Sequence, residues 1–135
     1  MAVYLANTGV LTVNAVDLST LTTSVTINRA FDELEVTSLG DAGHRYIKGL
    51  EASSISIDFI NDAATAKTLQ TLQTNWGSNV TVTFKQTSAA TSAENPLYTM
   101  TCLINNITPV NGAVADLSTQ SVTWNVSGTI AVTTS

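Results

Sequence analysis

The chain has 135 residues, the size of one ordinary domain, and 44% of them are hydrophobic, enough for a core. Only 11% are charged, the formal net charge is -5, and the five basic residues (Arg29, Arg45, Lys48, Lys67 and Lys85) are scattered. That balance excludes a domain that grips nucleic acid through a clustered basic patch, and a single cysteine, Cys102, excludes an internal disulfide or a thiol-rich metal site.

The N-terminal run Met1-Ala2-Val3-Tyr4-Leu5-Ala6 is apolar but lacks a basic flank, and Asn7-Thr8-Gly9 is a turn signal that ends it early. No secretory or membrane-crossing segment is therefore expected. Val10-Leu11-Thr12-Val13 alternates as a short strand does, and Ser24 to Arg29 reads as a strand with Val25 and Ile27 opposite Thr26 and Asn28. Glu33 to Ser38 follows, with Leu34 and Val36 on one face and Glu33 and Glu35 on the other. Leu39 to Leu50 reads as a long, glycine-broken loop. Gly40 and Gly43 are expected to take backbone angles that other residues resist, bending it. Ser54 to Phe59 is the next strand, apolar at Ile55, Ile57 and Phe59.

After Phe59 the period changes. Asn61 or Asp62 is a good helix N-cap, Ala63 to Trp76 is the predicted helix, and Gly77 is its stop. Ala66, Leu69, Leu72 and Trp76 form a narrow stripe, expected to dock on a sheet with Trp76 in the core. Asn79 to Lys85 is a strand with Val80, Val82 and Phe84 facing one way. Pro96 opens another that runs to about Asn105. Ile107 to Gln120 is a long connection with a turn signal at Asn111-Gly112, and the last strand pair is Ser121–Val126 with Thr129–Val132, bent at Gly128. About seven short strands and one helix predict a mainly β fold: one domain over residues 1–135, an antiparallel β-sandwich or partial barrel with one flanking α-helix.

No chemistry stands out. His44 is the one histidine, and no Gly-x-Ser-x-Gly elbow is present. One His and one Cys do not make a zinc site. No catalytic residue, cofactor or metal is expected, and the chain reads as a non-enzyme. Two features point to partners instead. From Asn95 to Ser135 the only ionisable side chain besides Tyr and Cys is Asp116, which fits either an extensive contact surface or a threonine-covered face. The long loop also carries Tyr46, Ile47 and Leu50, costly to leave in water, so it is expected to reach another copy of the chain.

The stretch Asp32-Glu33-Leu34-Glu35-Val36-Thr37-Ser38-Leu39-Gly40-Asp41-Ala42-Gly43-His44-Arg45-Tyr46-Ile47-Lys48-Gly49-Leu50-Glu51, with the alternating strand Ser54 to Phe59 after it, resembles the tail tube (major tail) proteins of long, non-contractile-tailed bacteriophages. Asn111-Gly112-Ala113-Val114 with Ser121-Val122-Thr123-Trp124 fits a closing strand of that family. The resemblance implies a structural virion protein that forms hexameric rings stacked into the tube conducting DNA to the host. Its partners would be further copies and the tape measure, tail tip and terminator proteins. DNA would be bound only in transit, no membrane would be bound, and assembly would take place in the bacterial cytoplasm. Leu39, Gly40, Asp41, Gly43, His44, Arg45, Tyr46, Ile47 and Lys48 are then the expected subunit interface, and Asp32, Glu33, Glu35 and Asp58 the acidic candidates for the lumen. The alternatives are another virion protein, such as a tail terminator or capsid decoration protein, and a carbohydrate- or receptor-binding β-sandwich. The last should show clustered exposed aromatics.

Overall fold

The structure, a computed structural model, describes residues 8–135, so the readings of Met1–Ala6 and of Asn7 lie outside the described residues. Within them the strands are β1 (Val10–Val13), β2 (Val16–Asp17), β3 (Thr22–Asn28), β4 (Phe31–Glu35), β5 (Tyr46–Glu51), β6 (Ser54–Ile60), β7 (Asn79–Lys85), β8 (Leu97–Leu103), β9 (Thr119–Asn125) and β10 (Ala131–Thr133). A 3-10 turn, Ser19–Leu21, leads into β3, and one helix, α1 (Thr68–Thr74), follows β6. All pairings between strands are antiparallel. A five-stranded sheet in the order β10-β8-β7-β1-β2 faces a three-stranded sheet in the order β3-β6-β9, and β4 pairs with β5 apart from both. The expected sandwich with one helix is therefore found.

The period of two that marks each strand places the core. Leu11, Val13, Val80, Val82, Met100 and Cys102 point inward from the larger sheet, and Ile55, Ile57, Phe59, Val122 and Trp124 from the smaller. The rings of Phe59 and Trp124 are tilted at 41° with centroids 6.4 Å apart, a favourable aromatic arrangement. The buried indole Nε1–H of Trp124 donates to the Asn106 carbonyl at 3.1 Å. Burial pushes the Cys102 thiol up to about 11, consistent with an inert core residue. Outward faces are covered by hydroxyls rather than charges. The rows Ser24-Asp58-Ser121, Thr26-Ser56-Thr123 and Asn28-Ser54-Asn125 run across the smaller sheet with Asp58 as their one charge. The neutral composition is thus met largely by a Ser/Thr surface.

Several expectations need correction. The residues 39–50 are not one loop: Tyr46–Glu51 forms β5 and pairs with β4, leaving a short tip between Val36 and Arg45. The helix is shorter than predicted. Ala66 takes φ 61 and ends any earlier helical run, and the buried stripe is Thr68, Thr71 and Leu72. Trp76 lies beyond α1 and is 61% exposed, not core. Thr68 explains the new start: its hydroxyl donates to the Ile60 carbonyl at 2.8 Å and accepts the Asp62 N–H at 2.9 Å, which ties α1 to the end of β6. The helix also ends before Gly77: Asn75 is its C-cap, and Gly77, at φ 82, lies two residues further on. The last two strands do not pair with each other. β9 bonds to β6, Val126 bridges to Cys102, and at Gly128, φ 95, the chain crosses to place β10 beside β8. The turn foreseen at Asn111-Gly112 forms three residues later, at Val114-Ala115, where Asp116 N–H donates to the Ala113 carbonyl at 3.0 Å.

Candidate assembly surface

β3 and β6 are paired from Thr22/Phe59 to Asn28/Ser54. The same ladder continues through the Ala52 N–H to Ala30 carbonyl bond into β4 and β5, and on to Val36 and Arg45. β4 and β5 are thus the outer half of one long hairpin, an arm that leaves the sandwich. From Phe31 to Val36 the arm spans six residues, about 20 Å at ~3.4 Å per residue. Its register shifts between Phe31/Glu51 and Glu33/Lys48, so Gly49 and Leu50 together oppose Asp32. A Cβ on Gly49 would lie 2.9 Å from the Asp32 carbonyl oxygen, so the bulge requires glycine there. Gly40 and Gly43 have no such requirement. Neither has a positive φ and a Cβ on either would meet open space, which corrects their expected role.

Directly opposed residues share a face. Leu34 opposes Ile47 and Val36 opposes Arg45, so Leu34, Val36 and Ile47 form an apolar strip. The other face carries Phe31, Glu33, Glu35, Tyr46 and Lys48, with Lys48 Nζ 4.6 Å from the centre of the Phe31 ring. Both faces are open: Phe31, Leu34, Tyr46 and Ile47 are all about half exposed, and Leu39 at the tip and Leu50 at the bulge more so. The tip itself is held by polar contacts. Asp41 Oδ2 accepts from Ser38 N–H at 2.7 Å and Arg45 Nε at 3.2 Å. Arg45 N–H donates to Thr37 Oγ1, which donates to Glu35 Oε2, and His44 Nδ1 lies 2.6 Å from the same oxygen. The Thr37 hydroxyl, followed by His44, holds the Glu35 carboxyl below the ordinary value. The expected interface residues Leu39, Gly40, Asp41, Gly43, His44, Arg45, Tyr46, Ile47 and Lys48 therefore divide between the tip and β5. The four acidic candidates do not gather. Asp32, Glu33 and Glu35 lie on the arm, whereas Asp58 stands on the outer face of the smaller sheet.

The two edges of the smaller sheet differ. Residues 104–118 run as a strap over β9, where Asn106 Nδ2 donates to the Thr123 carbonyl at 3.0 Å and Asn111 Nδ2 to the Thr119 carbonyl at 2.9 Å. Gln120 accepts Thr108 N–H and donates to Asn61 Oδ1, which fixes the same strap. Among the described residues, β3 has no strand or strap on its outer side. Beside it run two adjoining grooves of about 290 and 180 Å³, both lined by Val25, Phe84 and Gln86. Sequence reasoning missed the strap and this groove, because both depend on which strand ends up at an edge.

Among the described residues no helix is long and apolar enough to cross a membrane, and no three His, Cys, Asp or Glu side chains gather as metal ligands. Compared with known protein families and curated proteins, the chain matches none.

Proposed function

We propose that this chain is a self-assembling structural subunit, and that the assembly is a tail tube of the long, non-contractile phage type, with rings of six copies stacked around a DNA channel. The observation that carries the reading is the arm. A two-stranded ribbon is marginal in water, yet this one presents large apolar side chains on both faces, and among the described residues no sheet covers them. Moving each of Leu34, Val36 and Ile47 from half exposed to buried against a neighbour would contribute roughly 1 kcal/mol, multiplied over every interface in a ring. The edge of β3, uncovered among the described residues, offers a second contact, since a strand from an adjacent copy would extend the smaller sheet there. Head-to-tail contacts of that kind close into rings. The hydroxyl-covered face around Asp58 is the surface of this chain best suited to a DNA channel. It is nearly neutral, and its single carboxylate repels phosphate.

The test is assembly by purified protein, followed by size exclusion and negative-stain imaging. Sixfold rings or tubes are expected at high concentration. A monomer that stays monomeric, even with tail-tip nucleators added, overturns the reading. Leu34→Ser with Ile47→Ser removes the apolar strip from one face, and Tyr46→Ala tests the other. Each is expected to leave a folded subunit, and the strip variant to block polymerisation. Exposed Trp76 is the feature that favours the alternative of a carbohydrate- or receptor-binding module, but Phe31 and Tyr46 stand apart from it on the arm. Binding to a glycan panel by a strict monomer would favour that reading.

A further inference from the structure

We propose that Asn111 is a site of spontaneous deamidation that releases the strap from β9. Of the eleven asparagines, Asn111 alone precedes glycine. Asn111 is exposed, and among the described residues the N–H of Gly112 has no hydrogen-bond acceptor. Gly112 lies at φ 152, a backbone region that side-chain-bearing residues resist, and with no Cβ its nitrogen is unhindered.

The chemistry follows from those groups. Hydroxide removes the Gly112 amide proton, and the nitrogen attacks Asn111 Cγ to close a five-membered imide. The Cγ–Nδ2 bond breaks, and Nδ2 leaves as ammonia with a proton from water. A second water opens the ring at either carbonyl, giving aspartate or its β-linked isomer. The net change is one water consumed and one ammonia released, with no redox step. Asn111 Nδ2 is also the donor that holds the strap to Thr119. The product has no N–H there and sets a carboxylate against the Thr119 carbonyl, so attraction becomes repulsion. The new charge also enters the stretch from Asn95 to Ser135, where Asp116 stands alone. The strap then loses one of the two side-chain amides that cover the edge of β9.

The experiment is to incubate the intact protein in mildly alkaline buffer at physiological temperature, then map peptides by mass spectrometry. Aspartate and isoaspartate should accumulate at position 111 faster than at Asn105 and Asn106 by roughly an order of magnitude. Asn111→Gln retains the amide but closes an imide far more slowly, so it should stay unmodified. Asn111→Asp, which reproduces one product, should be cut faster within residues 105–118 by a broad-specificity protease while retaining the wild-type melting temperature. Equal accumulation at the three asparagines overturns the modification site. Unchanged cleavage of Asn111→Asp overturns the release of the strap. Gly112→Ala is avoided because its φ would strain the backbone.

Discussion

The two halves of the long hairpin share one hydrogen-bonded ladder but differ in their surroundings. Along β6 the residues alternate between half-buried and fully buried, since β9 pairs on one side and the larger sheet covers the inner face. In the arm, every residue of β4 is exposed. Backbone pairing is continuous between the halves, whereas burial stops at Ala30 and Ala52. The ladder alone therefore does not stabilise a strand. A third strand and a facing layer do, and among the described residues the arm has neither.

Truncation in the body tests the stronger half. Trp124→Ala leaves a cavity beside Phe59 and orphans the Asn106 carbonyl, and is expected to cost about 3–5 kcal/mol by thermal or urea unfolding. A loss no larger than that of an arm variant would erase the contrast. Gly49→Val drives a side chain into the Asp32 backbone and is expected to cost about 1–3 kcal/mol. Hydrogen exchange should show faster opening of β4 and β5, with β6 and β9 unchanged. Equal loosening of β9 would show that arm and body fold as one unit.

Smaller again is the arm pair Leu34→Ser and Ile47→Ser. Each is expected to change the stability of the isolated subunit by under about 0.5 kcal/mol, as surface changes do. A drop in melting temperature comparable to that of Trp124→Ala would mean the strip already packs on its own sandwich. The mildest change is Glu51→Gln at the arm's base. Ser53 Oγ–H, then Ile130 N–H at 3.0 Å, hold the Glu51 carboxyl below its ordinary value. A depressed folded pKa contributes stability above the unfolded value of 4.5, and that stability is lost as pH falls through the folded value. The variant should therefore melt slightly lower at neutral pH and merge with the wild type in acid. A gap that persists in acid would assign the effect to packing.

The body was legible because Ile55-x-Ile57-x-Phe59, Val80-x-Val82 and Val122-x-Trp124 each show one apolar face, and a buried sheet imposes that alternation. The arm's β5 was not, because Lys48-Gly49 interrupts the pattern at the bulge. An isolated glycine within a strand-like run was the available clue. Trp76 misled because helical spacing carried the stripe through Ala66, and nothing local showed that Thr68 would tie the helix start to Ile60. The β9-to-β10 crossing was invisible for a related reason. Gly128 reads equally as a hairpin turn or a change of sheet, and only the edge left free beside β8 decides between them.

The continuity of the hairpin also sets how force passes through the subunit. A pull on the tip along the arm leaves the β4–β5 rungs almost unloaded, because both strands move together. Tension enters the body through both β3 and β6, and β6 is held against β9 by seven paired positions from Ser54/Asn125 to Ile60/Thr119. Those rungs are loaded side by side in shear, so they must yield together rather than unzip in turn. Along the arm the load is therefore shared by many rungs at once, whereas across it the ladder is interrupted at the Gly49 bulge.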